Sequence, residues 1–163
     1  MFKYFLLAYI VSTCKGTNSS FPSWIDLECQ EGHKYIFSDT VLTWNDAISE
    51  CGLYGGWLVA INSLAENNCL VKHGASLGGV DWWYWTDGND VETNGVYVHY
   101  NYGDMEWIIP KWWCSVNYQY GAGEAFQLLI WSSSNFARFT GSWCDEDITT
   151  ESFFICESLM TPA

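Results

Sequence analysis

Residues Thr43–Ser63 read TWNDAISECGLYGGWLVAINS, and this stretch contains most of the sequence signals that determine the fold. Thr43 begins a capping-box pattern with Asp46, in which a hydroxyl and an acidic side chain satisfy free amide groups at the start of a helix. The apolar residues that follow recur at helical spacing and predict one buried helix face: Trp44, Ala47, Ile48 and Cys51. We therefore expect a helix that begins at Thr43.

The same stretch continues into a strand and a second helix. Gly55-Gly56 permits a tight exit from the first helix, because glycine adopts backbone conformations that other residues avoid. Leu58–Ile61 is short and rich in β-favouring residues, which predicts a strand. Ser63–Glu66 is a second capping box and predicts a helix to about His73. One side of that helix should carry four residues: Leu64, Asn67, Leu70 and Val71.

The rest of the chain favours strands. Cys29–Phe37 is predicted as the first strand, and the best later candidates are Val96–Tyr100, Phe126–Trp131 and Ser152–Cys156. Two helices followed by a set of antiparallel strands predict an α+β domain. At 163 residues the chain is long enough for one domain with a proper core.

Two segments about a hundred residues apart resemble those that open and close a C-type lectin-like domain. The first is Thr43–Ser63, and the second is Gly141–Glu157, which reads GSWCDEDITTESFFICE. The resemblance covers Cys29–Ser158 and implies the C-type lectin-like fold, with two helices packed on antiparallel sheets and a long upper loop that binds ligands. Trp82–Thr86 lies where the family has its Trp-Ile-Gly-Leu core motif, so core packing is the favoured interpretation of these residues.

The first 16 residues have the pattern of a secretory signal peptide. Lys3 precedes the apolar run Tyr4–Val11, and smaller and polar residues follow it. The run is too short to span a bilayer, so no membrane span is expected. A buried N-terminal strand and a bacterial lipobox around Cys14 are the alternatives. The expected organisation is a signal peptide at 1–16, a short segment at 17–28, the lectin-like domain at 29–158 and a tail at 159–163.

Export to the extracellular space agrees with the cysteine content. Removal of the signal peptide discards Cys14 and leaves six cysteines, an even number that implies three disulfides in an oxidising compartment. The sequon at Asn18 lies just inside the expected mature terminus, where a glycan could be attached. An unused sequon is the alternative.

The mature chain would be strongly acidic, with four basic residues against 19 acidic ones and a net charge of −15. Nucleic acid, heparin and anionic membranes would be repelled, so none of them is an expected partner. The acidity suits divalent cations or cationic partners. A charged surface that keeps a secreted protein soluble explains the same composition.

The family resemblance also implies disulfides. It pairs Cys51 with Cys156, whereas the two positions of the family's second disulfide are occupied by Phe126 and Ile148. Two large apolar residues at these positions would replace the covalent bond with a packing contact. A shifted alignment to the family is the alternative. Among the remaining cysteines, Cys114 and Cys144 lie in the upper loop and in the loop beside it, so we pair them and assign Cys29 to Cys69. The other two arrangements of these four cysteines stay open.

Calcium-dependent sugar binding in this family requires five positions with oxygen ligands, and this chain matches two of them, Glu124 and Asp145. Calcium needs about six to eight oxygens. The position of the family's asparagine is Cys144, and no Glu-Pro-Asn or Gln-Pro-Asp tripeptide occurs. The nearest sequence, Ile109–Lys111, offers an aliphatic and a cationic side chain instead. Calcium is therefore not expected as a cofactor in the family's sugar site, although it could bind elsewhere on an acidic surface.

The upper loop, Asp104–Gly123, is instead rich in aromatic residues, with Trp107, Trp112 and Trp113 as the candidate ligand-binding side chains beside Glu124 and Asp145. Exposed tryptophans stack on sugar rings or anchor protein interfaces. The expected function is glycan recognition with little or no calcium dependence. Calcium-independent binding of a protein ligand is the alternative, and the sequence does not indicate an oligomeric state.

Catalysis is not expected. His33, His73 and His99 show no metal-binding spacing, and the cysteines are assigned to disulfides. Asp145–Asp147 could suggest paired carboxylates of an acidic hydrolase, but a solvated turn explains this run more simply.

Overall fold

The computed structural model describes residues 23–77, 82–101, 103–104, 123–130 and 140–160. The described residues form two helices, α1 (Trp44–Leu53) and α2 (Leu64–Ser76). They also form eight strands: β1 (His33–Phe37), β2 (Trp57–Leu58), β3 (Trp82–Asn89), β4 (Val98–His99), β5 (Gly103–Asp104), β6 (Glu124–Ile130), β7 (Trp143–Asp147) and β8 (Phe153–Leu159). The predicted signal peptide and Asn18 lie outside the described residues.

Both helices begin where the capping boxes predict. Thr43 accepts a hydrogen bond from the Asp46 amide at the start of α1, and Ser63 accepts one from the Glu66 amide at the start of α2. Leu64, which we placed on one side of α2 with Asn67, Leu70 and Val71, is 44% exposed. The buried face of this helix consists instead of Glu66, Asn67, Leu70 and Gly74.

A glycine brings α2 close to the sheet. A Cβ atom at Gly74 would lie 2.5 Å from Cδ1 of Ile130, so a larger residue fits only if the Ile130 side chain, the helix or the strand shifts. This contact supports the helix beyond His73, and α2 continues to Ser76, three residues past the predicted end.

The strand pairs of the described sheet are antiparallel, as expected, except for one parallel pair that makes the sheet mixed. β8 pairs with β1 and β2 in antiparallel orientation, and antiparallel pairs also join β3 to β4, β3 to β6, β4 to β5 and β6 to β7. The pair between β3 and β8 is parallel. Parallel neighbours need a long connection, and here the whole segment from β4 to β7 separates the two strands.

Some predicted strands are shorter than expected. β1 begins at His33 and not at Cys29, and the predicted strand Leu58–Ile61 is reduced to β2, which ends at Leu58. Val59 is nevertheless fully buried. Its amide donates a hydrogen bond to the carbonyl of Ile155, and its carbonyl accepts one from the amide of Asp87. Irregular backbone here is thus hydrogen-bonded within the core.

The core consists of two clusters on opposite sides of the strands. The Tyr84 cluster contains Tyr35, Tyr84, Phe126 and Trp143, among others. The Trp85 cluster contains Ile36, Trp44, Trp85 and Phe154 together with the cystine sulfurs of Cys51 and Cys156. Successive residues of β1 and β3 alternate between the clusters, as the period of a strand requires. Within the expected core motif Tyr84, Trp85 and Thr86 are buried, whereas Trp82 and Trp83 are only half-buried.

Two disulfides join described residues, Cys29 to Cys69 and Cys51 to Cys156, and both are pairs that we expected from the sequence. The second closes a loop with a sequence separation of 105 residues. A loop of that size stabilises a fold by about 4–5 kcal/mol in the chain-entropy account. Cys144 is also disulfide-bonded. Its predicted partner, Cys114, lies outside the described residues, so this pairing stays a prediction.

The predicted contact between Phe126 and Ile148 is wrong. Phe126 is buried as expected, but it belongs to the Tyr84 cluster, whereas Ile148 is half-buried and packs against the Trp85 cluster. The physical reason is strand alternation. Ala125, and not Phe126, shares the Trp85 cluster with Ile148, because neighbouring residues of β6 face opposite sides of the sheet.

Candidate functional site

The two predicted ligand-binding carboxylates lie on adjacent strands, at one edge of the β6–β7 pair. Glu124 is the first residue of β6 and pairs with Asp147, and Asp145 of β7 pairs with Phe126. Glu124 and Asp145 are therefore diagonal neighbours on one face of the sheet, a relation in which residues are about 7–8 Å apart. Glu124 is buried and Asp145 half-buried.

A third carboxylate, Asp90, lies close to this pair and was missed by the sequence analysis. The Asp90 amide donates to the carbonyl of Glu124 at 3.1 Å, and its carboxylate oxygen Oδ2 accepts from the Gly95 amide at 2.8 Å. Burial raises the pKa of Asp145, and the charges of Asp90 and Glu146 also raise it. Asp90 follows a Gly-Asn turn signal at the end of β3, but no spacing rule connects it to β7.

These carboxylates do not form a coordination shell in the described part of the chain. No group of three or more histidine, cysteine, aspartate or glutamate side chains there could hold a metal ion. The position beside Asp145 is Cys144, whose sulfur is bonded to another sulfur, and calcium prefers oxygen ligands. The described residues thus match only two of the family's calcium-ligand positions, and the expectation that calcium is not a cofactor there stays a prediction. Trp107, Trp112 and Trp113 lie outside the described residues, so their roles stay predictions.

A second candidate is a pocket between the start of α1 and the β3–β4 hairpin, here called the α1–β4 pocket. Its volume is about 430 Å³, within the range of small-molecule sites. The described residues that line it are Trp44, Asn45, Asn89, Val91, Glu92, Val98, His99, Tyr100 and Asn101. Nothing in the sequence analysis predicted this pocket.

A buried aspartate–histidine pair lies at the wall of the α1–β4 pocket. Nδ1 of His99 lies 2.6 Å from Oδ1 of Asp87, and the two side chains are 4% and 1% exposed. Burial raises the pKa of the Asp87 carboxyl to about 6, whereas its hydrogen bond to His99 lowers it. Within the described part of the chain, Oδ2 of Asp87 is buried without a hydrogen-bond partner.

The backbone fixes this pair from both sides. The Asp87 amide donates to the carbonyl of Val59, and the Tyr100 amide donates to the carbonyl of Asp87. His99 is opposite Gly88 in the β3–β4 register, so its ring reaches Asp87 across the hairpin. Sequence analysis considered His99 only for metal spacing and found none. The partner carboxylate could not be recognised without the register of the two strands.

A different histidine–carboxylate pair lies near the chain's disulfides. His33 of β1 contacts Glu157 of β8 through Nδ1, and the other Glu157 oxygen accepts from the Trp57 indole at 3.2 Å and the Ala60 amide at 3.0 Å. Gln30 connects this pair to Glu66. With its amide oriented to donate to Glu66 at 3.1 Å, Gln30 accepts from Nε2 of His33 at 3.1 Å.

The amino-acid sequence is similar to those of a receptor and a lectin. The chain is 29% identical over 151 residues to mouse asialoglycoprotein receptor 2, a match that covers 86% of this chain and 45% of the receptor. It is 26% identical over 151 residues to lectin BRA-3 of Megabalanus rosa, covering 83% of this chain and 77% of the lectin. The chain therefore spans less than half of the mouse receptor. No protein-family model matches the chain.

Solved structures agree on the fold. The mouse scavenger receptor C-type lectin carbohydrate-recognition domain superposes with a TM-score of 0.65 at 22% identity, covering 86% of this chain and 96% of that domain. A calcium-independent type II antifreeze protein gives a TM-score of 0.64 at 17% identity, covering 85% and 92% of the two chains. The protein has the C-type lectin-like fold. The proteins to which it is similar in sequence include a receptor and a lectin.

No helix in the described ranges has the length and apolar character needed to cross a bilayer.

Proposed function

We propose that the protein is a secreted, extracellular recognition protein of the C-type lectin-like family, and that it binds glycans through the upper loop and the adjoining edge of β6 and β7. Ca²⁺ at the family's sugar site contributes little or nothing to this binding. The proposal includes no catalytic activity and no nucleic-acid partner. The lectins among its relatives and its C-type lectin-like fold support it.

One observation carries the calcium part of the proposal. Glu124 and Asp145 are diagonal neighbours on one face of β6 and β7, as a shared ligand site requires. Cys144, the residue directly before Asp145, is a half-cystine. A sulfur in a disulfide is a poor partner for a hard cation. Most of a calcium shell at this edge would therefore be water.

A second candidate is calcium-independent binding of a protein ligand. The same disulfide at Cys144 favours it, because the position no longer offers an amide to orient sugar hydroxyls. The same fold also occurs in a protein described as a calcium-independent type II antifreeze protein, whose name does not refer to sugar binding.

A glycan array with and without EDTA separates the two candidates. We expect one or more glycans to be captured equally in both conditions. Trp112→Ala or Trp113→Ala should abolish capture, and Glu151→Ala, an exposed residue away from the β6–β7 edge, is the matched control. Capture that disappears in EDTA would contradict the calcium-independent proposal. An empty array, followed by capture of a protein ligand that Trp112→Ala abolishes, would favour the second candidate.

A further inference from the structure

The α1–β4 pocket is built from the first turn of α1, the end of β3 and the β4 hairpin, all of which are in the described ranges. Neither Glu124 nor Asp145 is among the described residues that line it.

His99 supplies a hydrogen-bonding atom with a defined role. Because the carboxylate of Asp87 accepts from Nδ1 at 2.6 Å, the neutral imidazole keeps its proton on Nδ1 and presents Nε2 as an acceptor. Within the described ranges no hydrogen bond reaches Nε2, although His99 is only 5% exposed. A nearly buried acceptor without a partner needs a donor from water or from a ligand.

An aromatic wall faces the same space. Tyr100 lines the pocket and is 54% exposed, and its ring stands edge-on to the buried ring of Trp44, with centroids 5.5 Å apart. More than half of the Tyr100 side chain therefore remains exposed beside its contact with Trp44. Val91 and Val98 add apolar surface beside it.

The remaining polar groups of the α1–β4 pocket suit a ligand with hydroxyl groups better than a charged ligand. Asn45 and Asn101 are exposed at the rim, and their side-chain amides make no hydrogen bond with any described residue. Asn89 is already committed, because it donates to the carbonyls of Asp87 and Val98. None of the described lining residues is lysine or arginine, and Glu92 adds a negative charge, so an anion would be repelled.

We propose that the α1–β4 pocket binds a neutral pyranose residue, which lies with its apolar face on Tyr100 and donates one hydroxyl hydrogen bond to Nε2 of His99. Sugars combine an apolar ring face with a rim of hydroxyls, and the pocket combines an aromatic wall with uncharged amides and one acceptor. The residues that carry this proposal all belong to the α1–β4 pocket, so it does not rest on the proposed upper-loop function.

Imidazole and amide NMR of the full mature chain in EDTA tests the proposal directly. The probes are methyl β-galactopyranoside, methyl α-mannopyranoside and N-acetylglucosamine, each titrated to millimolar concentrations. At least one should shift Nε2 of His99 and the amide of Tyr100 in a saturable manner. Tyr100→Ala should weaken that binding about fivefold or more, the effect of about 1 kcal/mol of ring contact.

Two control variants make the outcome decisive. Val96→Ala changes a residue of the same hairpin that is 52% exposed but does not line the pocket, and it should bind like the wild type. Trp112→Ala should abolish glycan capture by the upper loop and leave the sugar-induced NMR shift of His99 unchanged. The two proposed sites can therefore be tested separately. Absence of a His99 response to every pyranoside would overturn the proposal, as would a response to tetramethylammonium in place of the sugars.

Discussion

The two buried histidine–carboxylate pairs have the same chemistry and opposite surroundings. Glu157 accepts from His33 and from two further donors, the Trp57 indole and the Ala60 amide, so both of its oxygens are used. Asp87 accepts from His99 through one oxygen, and its other oxygen has no partner in the described structure. Both oxygens of Glu157 are thus satisfied by the fold, whereas the Asp87–His99 pair leaves one oxygen without a described partner beside the α1–β4 pocket.

The elements that each pair joins explain this difference. Glu157 connects β1, β2 and β8, which come from distant parts of the chain, and Cys156 beside it is bonded to α1. Asp87 and His99 belong to one hairpin and are only 12 residues apart in the sequence. The first pair therefore stabilises the closure of the fold, and the second only shapes one of its surfaces.

Glu157→Ala should have the largest effect on stability. The substitution leaves His33, the Trp57 indole and the Ala60 amide without their acceptor in a site where Glu157 is 1% exposed. We expect a loss of about 3–5 kcal/mol in the free energy of unfolding. Denaturant titration measures it, with the exposed Glu151→Ala as the control. A loss below about 1 kcal/mol, the worth of one ordinary hydrogen bond, would mean that this pair is not structural.

Glu66→Gln should remove part of the pH dependence of stability. Burial raises the pKa of Glu66 from 4.5 to about 7, and Tyr35 and the Asn62 amide hydrogen-bond to its oxygens. The folded state thus binds the proton more tightly than the unfolded state. The resulting stability is fully present below pH 4.5 and is lost as the pH rises through about 7.

Denaturation midpoints on either side of this window measure the effect. The wild type should lose about 2–3 kcal/mol more than Glu66→Gln across it. Asp87 also has a raised pKa, so some dependence should remain in the variant. Identical pH profiles for the two proteins would show that Glu66 does not titrate in this range.

Asp87→Asn should have the smallest effect on stability. Burial already opposes the charge of Asp87, and asparagine keeps an oxygen that can accept from His99. We expect the free energy of unfolding at neutral pH to change by less than about 1 kcal/mol. A cost as large as that of Glu157→Ala, measured by the same denaturant titration, would remove the distinction between the two pairs.

The sequence alone predicted the starts of both helices and both disulfides between described residues. The caps at Thr43 and Ser63 are encoded within four residues each, so both helix starts are read directly from the chain. The family resemblance supplied the pairing of Cys51 with Cys156. Signals of this kind need no knowledge of how strands are aligned.

Errors arose where two strands had to be aligned. Phe126 and Ile148 were expected to touch, but the β6–β7 register places Asp145 opposite Phe126. Ala125, the residue before Phe126 on β6, is the one that belongs to the Trp85 cluster with Ile148. The pairing of Asp87 with His99 was missed for the same reason. Neighbours across a hairpin depend on turn length and register, which a motif does not specify.

Calorimetric titration of Ca²⁺ into the wild type and into Asp145→Ala tests the central claim, that ligand recognition does not depend on calcium in the family's sugar site. Because Cys144 is a half-cystine, Glu124 and Asp145 lack a neighbouring oxygen ligand from that position. We predict weak binding that Asp145→Ala leaves unchanged. Tight binding at micromolar calcium that disappears in Asp145→Ala would contradict this account and define a calcium-dependent lectin.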